Sequence, residues 1–160
     1  DSANQFYDSK FDIAKLSNIK NDAIKSILSA KLLEAQNRGI SISVEIEEPV
    51  SNFRIELLDF ITVLSVLCDN AIEATIKATS PRMTVVFINN DDSLVLIVEN
   101  SIKSEKVDVS HIFARGYSSK GEGRGLGLHN VNSILEKYPK STITTRSANH
   151  LFSQTIRFCK

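Results

Sequence analysis

The sequence predicts a single α/β fold, a two-layer sandwich in which helices cover one face of a mixed, mostly antiparallel sheet. The chain of 160 residues is long enough to bury one core without disulfides or metals. Its apolar patterns run in the order helix, strand, helix, hairpin, long loop, helix, hairpin. Strands that come mostly in hairpins do not make the regular strand and helix alternation of a Rossmann fold.

The first half of the chain predicts a polar entry segment, two helices and one strand. Residues 1 to 18 are weakly patterned and read as a linker. Apolar residues at helical spacing over 24–35, followed by Gly39, predict an amphipathic helix with a glycine stop. Residues 40–47, ISISVEIE, alternate apolar and polar side chains, the period of a half-buried strand. Residues 54–79 predict the longest element, a largely buried helix.

The second half predicts two hairpins separated by a long loop and a helix. The first hairpin covers residues 83–100 around a polar turn, and the second covers 142–158. Residues 101–123 show no sustained period, and a loop of this length favours a lid or a binding loop. A helix is predicted to follow from about residue 124 to 137.

Composition excludes several classes of partner. Lysine plus arginine and aspartate plus glutamate number 19 each, so no overall charge favours nucleic acid or an anionic membrane. The two cysteines, Cys68 and Cys159, are far apart and are interpreted as small core residues of a protein in a reducing cytosol. We expect no signal peptide and no membrane span in this segment, because no apolar run approaches the required length of roughly 20 residues.

A glycine run over residues 118–131, SSKGEGRGLGLHNV, precedes the third helix. Glycine lets a bulky anion approach backbone amides, and the first amides of a helix lack partners within the helix. The run therefore predicts a phosphate site, to which Lys120 and Arg124 would add charged donors. Its spacing of every second residue matches neither a P-loop nor a G-x-G-x-x-G motif. A flexible hinge is the alternative reading of these glycines.

An asparagine lies within the long apolar helix. Asn70 and Glu73 share one helical face, with Val63 and Val66 behind them and Asp69 beside them. An amide in such surroundings needs hydrogen-bond partners, and neighbouring backbone is one way to supply them. Its oxygen also suits Mg²⁺ that keeps several waters and bridges nucleotide phosphates.

Together these motifs resemble the GHKL superfamily, which includes the gyrase-type ATPases and the histidine kinases. DNAIEA at 69–74 is similar to the N box, and GRGLGL at 123–128 is similar to the second glycine box. The resemblance implies the Bergerat α/β sandwich, with ATP between the N-box helix and the lid. LCDNAIEAT, FARGYSSKGEGRGLGLHNV and KSILSAKLLEAQNRGI are most similar to kinases that receive secreted peptides in Gram-positive quorum sensing.

The resemblance assigns roles residue by residue. Asn70 resembles the N-box asparagine that coordinates Mg²⁺ and is needed for phosphate transfer. The resemblance also implies that a set of residues contacts ATP. These residues are Asn70, Glu73, Asn100, Phe113, Lys120, Gly121, Gly123, Arg124, Gly125, Leu126 and Gly127.

Three positions depart from patterns common in the superfamily. Val66 stands where the gyrase-type ATPases have a general-base glutamate, which favours transfer to another domain over hydrolysis. Asn100 replaces the aspartate that accepts from the adenine amino group, so we predict weak ATP binding. Glu73 stands where many histidine kinases have lysine.

These inferences predict residues 1–39 as a linker and helix from a phosphoacceptor domain and 40–160 as the ATP-binding catalytic domain. We expect the cytoplasmic part of a bacterial integral membrane receptor that binds Mg-ATP and donates the γ-phosphate to a histidine on a dimerisation domain outside this chain. A response regulator would then receive the phosphate. None of His111, His129 and His150 lies on the N-terminal helix, so the segment alone should not phosphorylate itself. The alternatives are a non-enzymatic nucleotide-sensing or partner-docking module and a serine kinase of the anti-sigma type.

Overall fold

A computed structural model describes residues 14–107 and 126–159, and for Leu126 it describes the backbone alone. The helices are α1 (Asp22–Asn37), α2 (Leu57–Thr75) and α3 (Leu126–Glu136), preceded by a short 3-10 turn at Leu16–Asn18. The strands are β1 (Ser41–Ile46), β2 (Arg82–Asn89), β3 (Ser93–Ser101), β4 (Ser141–Ala148) and β5 (Leu151–Cys159).

The five strands form one sheet in the order β1-β2-β3-β5-β4. β1 runs parallel to β2, and the other neighbours are antiparallel. In the central strand, Leu96 lies opposite Phe87 of β2 and Ile156 of β5. Helices cover the face on which these three side chains lie, so the predicted two-layer sandwich with a mixed, mostly antiparallel sheet is confirmed.

Local chemistry explains the ends of the elements. The side chain of Asn21 accepts a hydrogen bond from the amide of Ile24 (3.0 Å) and caps α1, and Gly39, with φ of 82°, ends the segment. The second hairpin turns at Asn149 and His150, both with positive φ (55° and 63°), as a two-residue turn between twisted strands requires.

The longest predicted element is confirmed as the longest helix, but it is shorter than the sequence pattern. α2 begins at Leu57 and ends at Thr75, whereas the apolar pattern runs from 54 to 79. Arg54 has a φ of 73°, which a right-handed helix cannot contain. The apolar pattern is longer than the helix because apolar residues continue past both helix ends into the core.

The core lies between the helices and the sheet. Phe60 of α2 is fully buried and contacts Phe53 (ring centroids 4.9 Å apart) and Phe158 of β5 (5.4 Å). Leu16, in the segment predicted as a linker, and Ile19, directly after it, are also buried in the core. Ile19 forms a parallel bridge with Val50, which fixes the chain before α1 on the domain.

The two cysteines differ in environment. Cys68 is fully buried, and desolvation raises the pKa of its thiol to about 12, which keeps it protonated and unreactive. Cys159 is only half-buried, so its predicted place in the core is wrong. Cys159 is the last residue of β5, at the edge of the core.

Candidate functional site

The first half of the candidate site is one face of α2. Val66, Asn70 and Glu73 follow each other at spacings of four and three residues, which places them on one side of the helix. Asn70 and Glu73 are both half-buried, so Asn70 is more open than its apolar sequence surroundings predict. An amide oxygen on such a half-open face fits a magnesium ion that keeps most of its ligands as water and phosphate.

The second half is the amino-terminal end of α3, which packs against α2. Gly127 lies directly over Val66, and a Cβ atom built on this glycine would be 3.1 Å from the Cγ1 atom of Val66. Gly127 has no positive φ, so the close approach of the two helices is what requires a glycine here. The contact brings the first turn of α3 beside the face that carries Asn70.

Asn100 lies at the end of β3, on the face of the sheet that the helices cover. Its side chain is almost fully buried, with 2% exposed, on the same side of β3 as the core residues Leu96 and Val98. The Asn100 Nδ2 atom donates a hydrogen bond to the carbonyl oxygen of Ser101 (3.0 Å). This bond uses the amide nitrogen and leaves the Oδ1 atom as the group suited to accept from a ligand amino group.

A buried polar cluster joins the end of α2 to the end of β3. The hydroxyls of Thr75 and Ser101 are 2.7 Å apart, and the amide of Arg82 donates to both, at 3.0 Å each. The Ser101 hydroxyl is also within 2.8 Å of the carbonyl oxygen of Ser80. These contacts hold the helix that carries Asn70 against the strand that carries Asn100.

A salt bridge joins α1 to α2 next to Asn70. Lys31 Nζ lies 2.6 Å from Asp69 Oδ1. Burial by itself would lower the pKa of Lys31, but the hydrogen bond and the charge of Asp69 raise it above its usual value. Lys31 is therefore charged across the physiological range and fixes the turn of α2 from which Asn70 extends.

The opposite ends of α2 and α3 are joined by charged and polar groups. The Tyr138 hydroxyl donates to Asp59 Oδ2, and Lys137 Nζ lies 2.9 Å from the same carboxylate oxygen. The Tyr138 hydroxyl also accepts from the amide of Glu56 (3.3 Å). The hydrogen bond from Tyr138, followed by that from Lys137, lowers the pKa of Asp59.

The structure brings together part of the predicted site. It places Asn70, Glu73, Asn100 and Gly127 on elements that meet at one end of the sandwich, and it places the backbone of Leu126 at the start of α3. The predicted contacts of Phe113, Lys120, Gly121, Gly123, Arg124 and Gly125 lie outside the described residues. Within the described ranges, no cluster of three or more histidine, cysteine, aspartate or glutamate side chains could hold a metal ion.

The side chains that position this site are not indicated by the sequence patterns. Thr75, Ser101 and Lys31 contact partners far away along the chain, so no local pattern singles them out. One feature of the sequence does indicate them. Thr75 and Asp69, the partner of Lys31, lie in the same DNAIEAT segment as Asn70.

The chain is similar to known proteins in family, in sequence and in structure. A family model described as "GHKL domain" matches residues 55–159. Sensor protein CitS of Bacillus subtilis is 29% identical over 125 residues, which cover 75% of this chain and 23% of CitS. Sensor histidine kinase DcuS of Escherichia coli K12 is 30% identical over 144 residues, which cover 87% of this chain and 26% of DcuS. The chain thus spans about a quarter of the length of these relatives.

Solved structures share the fold at low sequence identity. The catalytic domain of histidine kinase ThkA superposes with a TM-score of 0.72 at 18% identity, covering 88% of this chain and 91% of that domain. Acinetobacter baumannii histidine kinase AdeS superposes with a TM-score of 0.62 at 18% identity, covering 84% of this chain and 64% of that one. In the described part of this chain, no helix has the length and apolar character needed to span a membrane.

Proposed function

The chain belongs to the GHKL domain family, and from that premise we propose that it is the ATP-binding catalytic domain of a sensor histidine kinase. It binds Mg-ATP and donates the γ-phosphate to a histidine on a phosphoacceptor domain outside this sequence. A response regulator then takes the phosphate from that histidine. We place the domain on the cytoplasmic side of a bacterial membrane receptor. The names of CitS and DcuS, a sensor protein and a sensor histidine kinase, support the sensor part of this proposal.

The observation that carries the proposal is the contact of Gly127 with Val66. It sets the first turn of α3, whose amides have no partners within the helix, beside the α2 face of Asn70. Amides at a helix start bind phosphate oxygens, and an asparagine oxygen is a ligand for magnesium. The bound Mg-ATP supplies an electrophilic γ-phosphorus, and these residues hold it in place.

The residues on the α2 face favour transfer over hydrolysis. Val66 occupies the turn before Asn70, where a general base for water would be needed, and its side chain packs on Gly127. A hydrocarbon side chain cannot take a proton from water. The nucleophile is therefore supplied by another domain, and the chain's own role is to bind and orient the nucleotide.

The test measures binding and transfer separately. We expect a fluorescent ATP analogue to bind in a magnesium-dependent way, and we expect acid-labile phosphate on a phosphoacceptor domain added in trans. Asn70→Ala should abolish transfer, whereas Asn37→Ala, at the exposed end of α1, should leave it intact. Transfer by Asn70→Ala at the rate of the parent chain would contradict the role of Asn70. Acid-labile phosphate on this segment alone would contradict the proposed separation of the domains.

Asn100 makes a non-enzymatic module the second candidate. Asn100 lacks the charge of the aspartate that is common at this position in histidine kinases, and its amide nitrogen donates to the Ser101 carbonyl. If this substitution has removed nucleotide binding, the domain only senses or docks partners. Magnesium-dependent binding of the ATP analogue would support the kinase. No binding of the analogue would support the non-enzymatic module. Transfer to a serine in place of a histidine would decide for the anti-sigma type of kinase.

The nature of the signal is a finer proposal. The amino-acid sequences of the segments around Asn70 and of the glycine run support a receptor for a secreted peptide in quorum sensing. We expect that the full-length receptor in membrane vesicles is activated by the peptide fraction of the culture medium of its source organism. Activation that survives protease treatment of that fraction would contradict the peptide proposal and leave the kinase proposal unchanged.

A further inference from the structure

A pocket, here called the basal pocket, lies at the end of the sandwich opposite Asn70. Its volume is about 270 Å³, and it opens between the start of α2, the end of α3 and the last strand. Apolar parts of its lining come from Ile55, Pro139 and Phe158, and cationic parts come from Arg54, Lys137 and Lys140. The described lining of this pocket contains no carboxylate.

The cations of the basal pocket differ in how they are neutralised. Lys137 is paired with Asp59 at 2.9 Å. Arg54 and Lys140 form no ion pair with any carboxylate among the residues that the structure describes. Two positive charges next to an apolar lining therefore have no carboxylate partner in the described part of the chain, and we expect them to attract an anionic group.

Arg54 is held at the pocket in an unfavourable state. Its backbone has a φ of 73°, a conformation that few residues other than glycine adopt. Its terminal Nη2 donates to Asn89 Oδ1 (3.3 Å) and to the carbonyl oxygen of Asn90 (2.8 Å), both uncharged acceptors. Its Nε atom is buried without a hydrogen-bond partner within the described structure. A buried donor left unpaired costs stability unless a ligand pairs with it.

We propose that the basal pocket binds an acidic peptide segment of a partner protein. An apolar side chain of the peptide enters the lining of Ile55 and Phe158, and a neighbouring carboxylate pairs with Arg54 and Lys140. The volume favours a peptide anchor, because about 270 Å³ is below the range of roughly 300 to 1,000 Å³ usual for small-molecule sites. A pocket of that size holds one large side chain, and charge complementarity selects acidic neighbours.

The position of the pocket makes the proposal independent of the nucleotide site. Asp59 and Tyr138 hold the end of α3 that borders the pocket, whereas Gly127 and Asn70 lie at the other end of α2 and α3. Peptide binding should therefore neither need nor block Mg-ATP.

The probe is the labelled pentapeptide Asp-Glu-Phe-Asp-Glu, compared with Asn-Gln-Phe-Asn-Gln and Asp-Glu-Ser-Asp-Glu. We expect fluorescence anisotropy to show binding of the first peptide and at least about tenfold weaker binding of the other two, because each lacks either the charge or the anchor. Amide NMR shifts should change at Ile55, Lys140 and Ser141 and stay constant at Asn70.

The variants separate loss of the site from loss of the fold. Arg54→Gly removes the guanidinium and suits a φ of 73°, so the protein should fold while the peptide binds about tenfold more weakly. Lys140→Gln should weaken binding as well, and Lys20→Gln, on an exposed residue outside the pocket, is the matched control. All three should unfold cooperatively, which shows that they fold, and their ATP-analogue binding should match that of the parent chain.

Several results would overturn the proposal. Equal binding of the neutral peptide would remove the role of the two cations. Full affinity in both Arg54→Gly and Lys140→Gln would place the peptide elsewhere. Phenylacetate that competes at the affinity of the pentapeptide would replace the partner segment by a small carboxylate. Normal ATP-analogue binding in the same samples would show that any such failure concerns the basal pocket alone.

Discussion

The two ends of the α2 and α3 pair are joined by opposite kinds of contact. At the carboxyl end of α3, Tyr138 and Lys137 hold the carboxylate of Asp59 by directional, charged bonds. At the amino end of α3, Gly127 lies on the side chain of Val66 and adds no side chain of its own to the contact. The first kind of contact fixes where α3 ends, and the second sets how closely its first turn approaches α2.

The difference explains how one helix serves two purposes. Charged bonds at one end stabilise the fold at a distance from the candidate site. At the other end, the glycine contact sets the position of a first turn whose amides have no partners within the helix. Changes at the glycine end should therefore act on nucleotide affinity, and changes at the charged end should act on stability. Four substitutions test this division and follow in order of expected effect on affinity.

Asn70→Asp should have the largest effect. It keeps an oxygen that can bind magnesium but puts a negative charge beside the proposed triphosphate, so we expect affinity for the ATP analogue to fall by more than about tenfold. Asn37→Asp, the same change on an exposed residue of α1, is the control for added charge. Titration calorimetry measures both. Equal affinities for the two variants would mean that the α2 face is not part of the nucleotide site.

Gly127→Ala should have the next largest effect. The new Cβ atom would lie 3.1 Å from Val66, and overpacking costs roughly 1 to 3 kcal/mol. The gain in helix propensity from glycine to alanine, about 1 kcal/mol, offsets part of this cost in folding but not in the geometry of the site. We expect analogue affinity to fall while the midpoint of thermal unfolding changes little.

A double substitution tests the cause of that loss. Val66→Ala makes space for the Cβ atom, so Val66→Ala with Gly127→Ala should regain affinity relative to Gly127→Ala alone. Ser133→Ala, on the exposed side of α3, is the control for helix propensity. If the double variant binds no better than Gly127→Ala, the helix contact is not what sets the affinity.

Asn100→Asp should have a smaller effect, in the opposite direction. The carboxylate offers a stronger acceptor to an adenine amino group, so we expect the affinity to rise by up to about tenfold. The variant loses the donation from Nδ2 to the Ser101 carbonyl in a buried position, which should lower the free energy of unfolding by about 1 to 3 kcal/mol. Calorimetry and urea unfolding measure the two effects. Unchanged or lower affinity would contradict the predicted adenine contact.

Asp59→Asn should leave the affinity unchanged and lower stability. Tyr138 loses a charged hydrogen-bond acceptor, which should lower the free energy of unfolding by about 1 kcal/mol, and the exposed Lys137 loses its ion-pair partner. Asp91→Asn, on an exposed turn residue, is the control and should change neither quantity. A loss of analogue binding in folded Asp59→Asn would show that the two ends of α3 are coupled.

The same residue predicts how stability depends on pH. The pKa of Asp59 is lower in the folded chain than in the unfolded one, so its contribution is present above the usual carboxyl pKa of about 4 and is lost as the pH falls through the lowered value. Asp59→Asn should therefore lose less stability than the parent chain over that acidic range. Urea unfolding at a series of pH values measures the difference, and parallel curves would contradict the assignment.

Local patterns predicted most of the fold and part of the site. Alternation placed β1 correctly, the apolar period placed α2, and the residues DNAIEA and GRGLGL indicated the family that residues 55–159 match. The resemblance to a GHKL domain is thereby confirmed, while the histidine-kinase activity and the peptide-receptor subtype stay proposals. The ends of α2 were less predictable, because apolar residues continue beyond them into the core.

The sequence by itself determined the described helices and strands, their order and the residue types of the candidate site, since these depend on periods of two to four residues and on short motifs. Only the tertiary structure decided which of these residues meet. Thr75 and Ser101, Asp59 and Tyr138, and Val66 and Gly127 are far apart along the chain and come together because the helices pack on one face of the sheet. No period in the sequence encodes such pairs, because each is set by the packing of whole elements. The basal pocket likewise exists only where the ends of α2, α3 and β5 converge.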